Sequence, residues 1–326
     1  MTNPSAVNSF STTSTIHLLG AGSLGLLIAC RLQQARQNIS LIGRDQQAVE
    51  KFSKSGVLFE NSRYLFPSFT AENIKKNSIR RLIICLKTWQ TLPAIKPLIN
   101  ALADNAQIIL IQNGMGIIEQ LGDLIRQQKP EISLFHALST HGAWKENVWK
   151  ESACKNNTNQ QFTVHQAGTG EIRIDANCQS SWITAFTQAN LNPQTDSDIK
   201  LAAWKKLLIN CCINGLTAIA NCQNGQLAVN LHLKQITQQL IDECLTLSNK
   251  IYPELATQPI ADLIWQVINQ TAANYSSTHQ DHQANRLSEI DAINGYLLDI
   301  AKTVQLSLPV NQTIYRLIKS AEAASV

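Results

Sequence analysis

Three polar side chains recur at four-residue spacing in an otherwise apolar run: Lys206, Asn210 and Asn214 in WKKLLINCCIN, residues 204–214. Positions i, i+4 and i+8 share one face of an α-helix. Around them stand Trp204, Leu207, Leu208, Ile209, Cys211, Cys212 and Ile213, so this helix is expected to be buried on most sides. A buried ammonium or amide costs free energy unless it has a partner. The line therefore reads as one wall of a polar site, where an ammonium stabilises negative charge or gives up a proton. The competing reading is a snorkelling lysine with two asparagines near a helix end.

A second chemistry-bearing stretch is Gly20-Ala21-Gly22-Ser23-Leu24-Gly25. It follows a short apolar strand at 15–19 and opens a helical pattern at 26–34. In that setting GxGxxG predicts a dinucleotide cradle. Gly20 allows the tight turn, Gly22 lets a diphosphate approach the backbone, and Gly25 permits close helix–strand packing. The helix N-terminus offers its N–H groups to phosphate oxygens. The alternative is a glycine-rich turn in an unrelated α/β fold.

The next strand, 38–42, ends in Gly43-Arg44. A site for NAD(H) places an acid there for the ribose hydroxyls. A guanidinium instead suits a 2′-phosphate, so NADP(H) is expected, with Arg44 as its contact. Asp45 complicates this, because it is a second candidate for the acid's role, and a solvated loop charge is the other reading of Arg44. Strands at 81–86 and 107–111 lead to Lys87 and to Asn113. Ligands of open α/β sheets bind outside the carboxyl ends of strands. Lys87 is thus a candidate for substrate carboxylate or cofactor, and Asn113 for substrate or nicotinamide ribose. Capping of the following helix is the alternative for both. Glu289 falls in an S-x-x-D capping box at 288–291, where a carboxylate beside the helix dipole is the plainer explanation. His141, in Thr140-His141-Gly142, reads as a structural loop histidine.

The elements that must hold these residues fall into two groups. The 326 residues suffice for two domains, and 44% hydrophobic residues make a real core. A net charge of +4 without a basic run argues against nucleic acid or membrane surfaces as partners. The 8 cysteines contain no CxxC pair, so a reduced, cytoplasmic protein without a metal site is expected. No apolar run approaches membrane-spanning length, and residues 1–14 read as a loose tail and not as a signal peptide. Up to a boundary near 195–199 strands and helices alternate, with a further strand at 134–139. A polar, Asn-rich hairpin loop is expected at 145–161, then a hairpin-like return of 162–165 and 171–174 about Gly168-Thr169-Gly170. After the boundary all signals are helical: a helix ended by Gly215, then helices at 231–252, 259–273, 288–303 and 309–318. The fold class is α/β. A doubly wound, Rossmann-type dinucleotide domain (15–197) precedes an all-helical domain (198–326).

Several segments together resemble the ketopantoate reductase (2-dehydropantoate 2-reductase) family: GAGSLG at 20–25, CLKTWQ at 85–90, QNGMG at 112–116, WKKLLINCCIN at 204–214, YSSTHQD at 275–281 and SEIDAINGYL at 288–297. The resemblance spans residues 16–322. It implies NADPH-dependent reduction of 2-dehydropantoate to (R)-pantoate, in pantothenate and coenzyme A synthesis. It places the catalytic lysine on Lys206, not Lys205, and a site glutamate on Glu289, with a catalytic and a cofactor-contacting role. Substrate-binding positions fall on Asn113, Asn210, Asn214 and Ser277. Cofactor positions fall on the glycine loop, Arg44, Lys87 and Asn113. The chain departs at Gly215, where many relatives have proline, and at Thr278, where many have methionine. Two other functions remain in play: reduction of another 2-oxoacid on the same scaffold, and nucleotide sensing without turnover. The expected partner is a small 2-oxoacid, and the expected state is monomer or homodimer.

Overall fold

Leu82, Ile83 and Ile84 follow one another and all are buried. A strand with successive side chains buried has both faces covered, as in a parallel sheet flanked by helices. The computed structural model describes residues 14–149 and 160–324. The strands are β1 (Ile16–Leu19), β2 (Ile39–Gly43), β3 (Val57–Phe59), β4 (Ser62–Tyr64), β5 (Ser68–Thr70), β6 (Ile79–Ile84), β7 (Leu102–Ile111), β8 (Ser133–Ser139), β9 (Gly142–Trp149), β10 (Gln160–Gly168), β11 (Ile172–Asp175) and β12 (Pro193–Asp196). Eight form one sheet in the order β12-β11-β8-β7-β6-β1-β2-β5. From β8 through β5 the neighbours are parallel. Strand order reverses between β1 and β6, the switch point at which such sheets bind ligands.

The chain divides into two compact units. The first takes the chain up to Leu86, with Leu92–Ile111 and Leu124–Thr195; the second takes Lys87–Thr91, Gln112–Asp123 and the chain from Asp196 onward. The segments that follow β6 and β7 therefore group with the helical half.

Two expectations for the first unit need correction. Strand β9 runs on to Trp149, past residue 145 where the hairpin loop is expected to begin, and pairs antiparallel with β10. Most of the Asn-rich stretch, 150–159, lies outside the described residues, as does the tail up to residue 13. The return about Gly168-Thr169-Gly170 is not a hairpin. β10 joins β9 and β3 in a second, four-stranded sheet, whereas β11 pairs with β8 in the large one. Gly170 makes this change of sheet possible: a Cβ there would lie 2.4 Å from the His141 nitrogen, so only glycine lets the two backbones cross. His141 is structural, with Nδ1 accepting from the Gly170 N–H at 3.2 Å and Nε2 3.0 Å from the Leu191 carbonyl.

The second unit is built on the helix Ile199–Ile219, which buries Trp204, Leu207, Leu208, Cys211 and Cys212 against Leu231–Ile251 and Ile260–Gln270. Trp204 still satisfies its indole N–H, which donates to Ser248 Oγ at 3.0 Å. Gly215 does not end this helix. A Cβ there would lie 2.4 Å from Ile314 Cγ2, so the glycine serves the close packing of Pro309–Ala324. The capping box at 288–291 does not form either. Asp291 accepts from Tyr315 Oη and pairs with Lys319, and the Ser288 N–H donates to Glu322. A single π-helical turn, Asp291–Gly295, precedes the helix Tyr296–Thr303. No described helix is long and apolar enough to cross a membrane, and no described cysteine is in a disulfide.

Candidate active site

In the first unit the chain leaves β1 at Leu19 and turns at Gly20, whose φ is +117°. A Cβ on Gly20 would lie 2.3 Å from the Cys85 carbonyl oxygen, and one on Gly25 would lie 2.0 Å from that of Gly20. Both glycines are fixed by packing against backbone. Gly22 differs: it is exposed, and nothing stands within 4 Å of where its Cβ would be. It is the N-cap of the helix Ser23–Gln34, and no side chain caps that helix. Open space over a glycine, above uncapped helical N–H groups, fits a dinucleotide diphosphate. Ala21, Ser23 and Leu24 are half-buried around it.

Arg44 stands just past β2 with 88% of its side chain exposed, its Nε 2.9 Å from Asp45 Oδ2. The other Asp45 oxygen accepts the Ala48 N–H at 2.7 Å and caps the helix Gln46–Glu50. That backbone bond, aided by Arg44, holds the Asp45 carboxyl below the usual carboxylate range. Both Asp45 oxygens are thus engaged locally.

In the second unit the polar line holds as a face. Lys206 and Asn210 are half-buried, while Leu207, Leu208, Cys211 and Cys212 are buried. Asn214 is buried, and its side-chain amide donates to Ser277 Oγ at 3.4 Å. Ser277 is exposed at the start of the helix Ser277–Gln283. Ser276 caps that helix by accepting the His279 N–H at 3.1 Å, and it lies 2.8 Å from Thr217 Oγ1. Thr278 is buried, so its hydroxyl is turned into the protein beside the exposed Ser277.

A second polar group in this unit surrounds Glu289. Its Oε1 accepts the Thr88 N–H at 3.2 Å, and the Asn113 side chain also hydrogen-bonds it. Asn113 is held there by its own loop. Gly114 and Gly116 take φ of +79° and +92°, and the Met115 N–H donates to the Ala292 carbonyl at 3.0 Å. Lys87 Nζ lies 2.7 Å from Asp281 Oδ2 and donates to the Leu287 carbonyl. Lys87 stands three residues beyond the end of β6, and its first partner is this carboxylate. Burial pushes the Glu289 carboxyl up to about 7, with Asp281 adding to the rise and Thr88, Lys87 and Asn113 opposing it. Such a group exchanges a proton at neutral pH.

The structure therefore gathers Lys87, Asn113 and Glu289 into one group and joins Asn214 to Ser277. The glycine loop and Arg44 belong to the other unit. Sequence reasoning missed Asp281, Thr88, Thr217 and Ser276. Asp281 closes the quoted YSSTHQD segment, but nothing local marks it as the partner of Lys87.

The raised Glu289 carboxyl has a consequence for stability. Its folded value, about 7, lies above its ordinary 4.5, so the folded chain binds this proton more tightly than the unfolded chain. The contribution is complete below 4.5 and is lost as pH rises through 7. Glu289→Gln should therefore lose less stability than wild type between about pH 5 and about pH 8 in urea denaturation. Parallel losses would contradict the assignment.

Comparison with known proteins covers both units. A family model described as "Ketopantoate reductase PanE/ApbA" matches residues 16–177, and one described as "Ketopantoate reductase PanE/ApbA C terminal" matches residues 198–322. The chain is similar to the 2-dehydropantoate 2-reductase of Vibrio cholerae, at 30% identity over 312 residues, covering 94% of this chain and 97% of that protein. Among solved structures, a PanE/ApbA family ketopantoate reductase from Ralstonia eutropha JMP134 matches with a TM-score of 0.77 at 20% identity, covering 95% of this chain and 99% of that one. The ternary structure of D-mandelate dehydrogenase with NADH and anilino(oxo)acetate matches with a TM-score of 0.78 at 16% identity, over the same shares. These two likenesses are likenesses of fold.

Proposed function

This chain belongs to the ketopantoate reductase family, and from that membership we propose that it reduces 2-dehydropantoate to (R)-pantoate with NADPH. The observation that carries the reading is the half-buried Lys206 in line with Asn210 and Asn214, the latter bonded to Ser277. Bound NADPH supplies a hydride to the carbonyl carbon. Negative charge then grows on the carbonyl oxygen, and Lys206 is the group that stabilises it and delivers the proton. Asn210 and Asn214 orient the lysine and the substrate hydroxyl, and Ser277 holds the substrate carboxylate. Glu289, close to half-protonated at neutral pH, keeps the polar group around Asn113 ordered and takes part in proton handling. In the first unit Gly20, Gly22 and Gly25 shape the cradle for the diphosphate.

Arg44 supports the choice of NADPH. It occupies the place of the ribose-binding acid, and the neighbouring Asp45 has both oxygens engaged. An exposed guanidinium is a ready partner for a 2′-phosphate. Arg44→Ala should raise the KM for NADPH by about tenfold or more and leave the KM for NADH nearly unchanged. Equal effects on both would exclude the 2′-phosphate contact. The reading as a whole is tested by following NADPH oxidation with ketopantoate beside a panel of other 2-oxoacids. Fast oxidation confined to ketopantoate and NADPH is the expected result. Turnover on a different 2-oxoacid would replace the substrate and keep the chemistry. Tight NADPH binding without turnover on any of them would leave a nucleotide-binding protein.

A further inference from the structure

Asp281 keeps only 10% of its side chain exposed, yet it carries two cations. Oδ2 lies 2.7 Å from Lys87 Nζ, and Oδ1 lies 3.2 Å from Arg286 Nε. The Arg286 N–H returns to the Asp281 carbonyl at 2.9 Å, which fixes the turn that brings the guanidinium back. Lys87 also donates to the Leu287 carbonyl, so the ammonium has two acceptors on the 281–287 segment. The next residue, Thr88, gives its N–H to Glu289. One short stretch of chain thus ties the bridge to the carboxyl that exchanges a proton.

We propose that Asp281 is a positioning residue: its bridge between Lys87 and Arg286 sets how much of the Lys87 charge reaches the Glu289 carboxyl. The proposal rests on the reading of Glu289 as a proton-handling group. The charges that act on Glu289 are Lys87, which favours its ionised form, and Asp281, which opposes it; Thr88 and Asn113 contribute hydrogen bonds. Three further titratable groups of this region have partners of their own. His279 lies 2.8 Å from Asn221 Oδ1 and stacks on Tyr275, Asp291 pairs with Lys319, and Glu322 holds Ser288. A buried carboxylate with two cations is strongly coupled to both, and removing either side changes the field at Glu289.

The two sides of the bridge give opposite signs. Asp281→Asn removes a negative neighbour and leaves Lys87 without its counter-charge. Both changes favour ionised Glu289, so its titration midpoint moves to lower pH, by about one unit. Arg286→Gln takes a counter-charge from Asp281, whose negative charge then weighs more on Glu289, and the midpoint rises. Asp281→Glu keeps the charge and should stay near wild type. A residue that merely supports the fold would move stability and kcat together without this ordered pair of shifts.

The experiment uses the full chain labelled with 13C-carboxyl glutamate. The Glu289 resonance, assigned by its loss in Glu289→Gln, is titrated by NMR. The pH dependence of kcat/KM with ketopantoate and NADPH is recorded on the same variants. A lower midpoint in Asp281→Asn, a higher one in Arg286→Gln and a near-native one in Asp281→Glu uphold the proposal. An unchanged midpoint in Asp281→Asn, or shifts of one sign in both, overturn it. If Asp281→Asn does not fold, Arg286→Gln decides: no upward shift overturns the bridge. Ordered shifts in a protein that does not turn over ketopantoate would uphold the bridge and overturn the substrate reading, because the NMR titration needs no turnover.

Discussion

Replacing Lys206 by alanine is expected to lower the rate of hydride transfer by about 10²- to 10⁴-fold, the usual contribution of a general acid. The lysine is half-buried on a helix whose residues Leu207, Leu208, Cys211 and Cys212 are buried in the core, so packing fixes the helix that carries it. Alanine is a good helix former and leaves that packing intact. The loss should therefore appear in kcat and in single-turnover rates, while NADPH affinity, in which Lys206 is assigned no contact, holds. Lys206→Arg should rescue little, because a guanidinium does not release its proton in this pH range. Single-turnover absorbance and a fluorescence titration of NADPH check the two halves of this expectation. Near-normal turnover in Lys206→Ala would remove the lysine from the chemistry.

Gly22→Val should do the reverse. Gly22 has φ −74° and ψ −177°, extended backbone open to any residue, and nothing lies within 4 Å of its Cβ position. The variant should fold with native circular dichroism and native thermal stability. Its branched side chain would nevertheless fill the space over the helix N-terminus that a diphosphate needs. NADPH affinity should drop by about a hundredfold or more, measured by calorimetry, with turnover falling in step. Gly20 and Gly25 would not give so clean a result. A Cβ at either meets backbone oxygen within 2.3 Å, so substitution there strains the fold as well as the cradle. Native affinity in Gly22→Val would move the dinucleotide away from this loop.

What the sequence reveals and what it hides divide along physical lines. The glycine loop, the buried parallel strands and the Lys206 line are local patterns, set by the period of a helix or by a run of apolar residues, and such patterns survive in one dimension. β3 and β4 are three residues each, too short to show a period. Gly215 looks like a helix stop because its reason, the side chain of Ile314, lies far along the chain. Ser288 and Asp291 have the spacing of a capping box, but Glu322, Tyr315 and Lys319 compete for them and win. The proton affinity of Glu289 is raised by burial and by Asp281 and lowered by Thr88, Lys87 and Asn113, and no local signal carries that.

The helical unit is not one continuous piece of chain, since it includes Lys87–Thr91 and Gln112–Asp123. The bond from Thr88 to Glu289 joins residues 201 positions apart. During synthesis the glycine cradle can close early, on contacts among β1, β2 and β6, whereas the Glu289 group has to wait for most of the polypeptide. A chain that stalls or is cut before residue 196 would carry a finished cradle with Lys87, Thr88 and Asn113 left without their carboxylate partners. Expressing 196–326 alone would make the complementary fragment, with Glu289 and Asp281 but without those three. Neither piece is a smaller version of the whole, and activity should return only when both are present in one chain or reassociate.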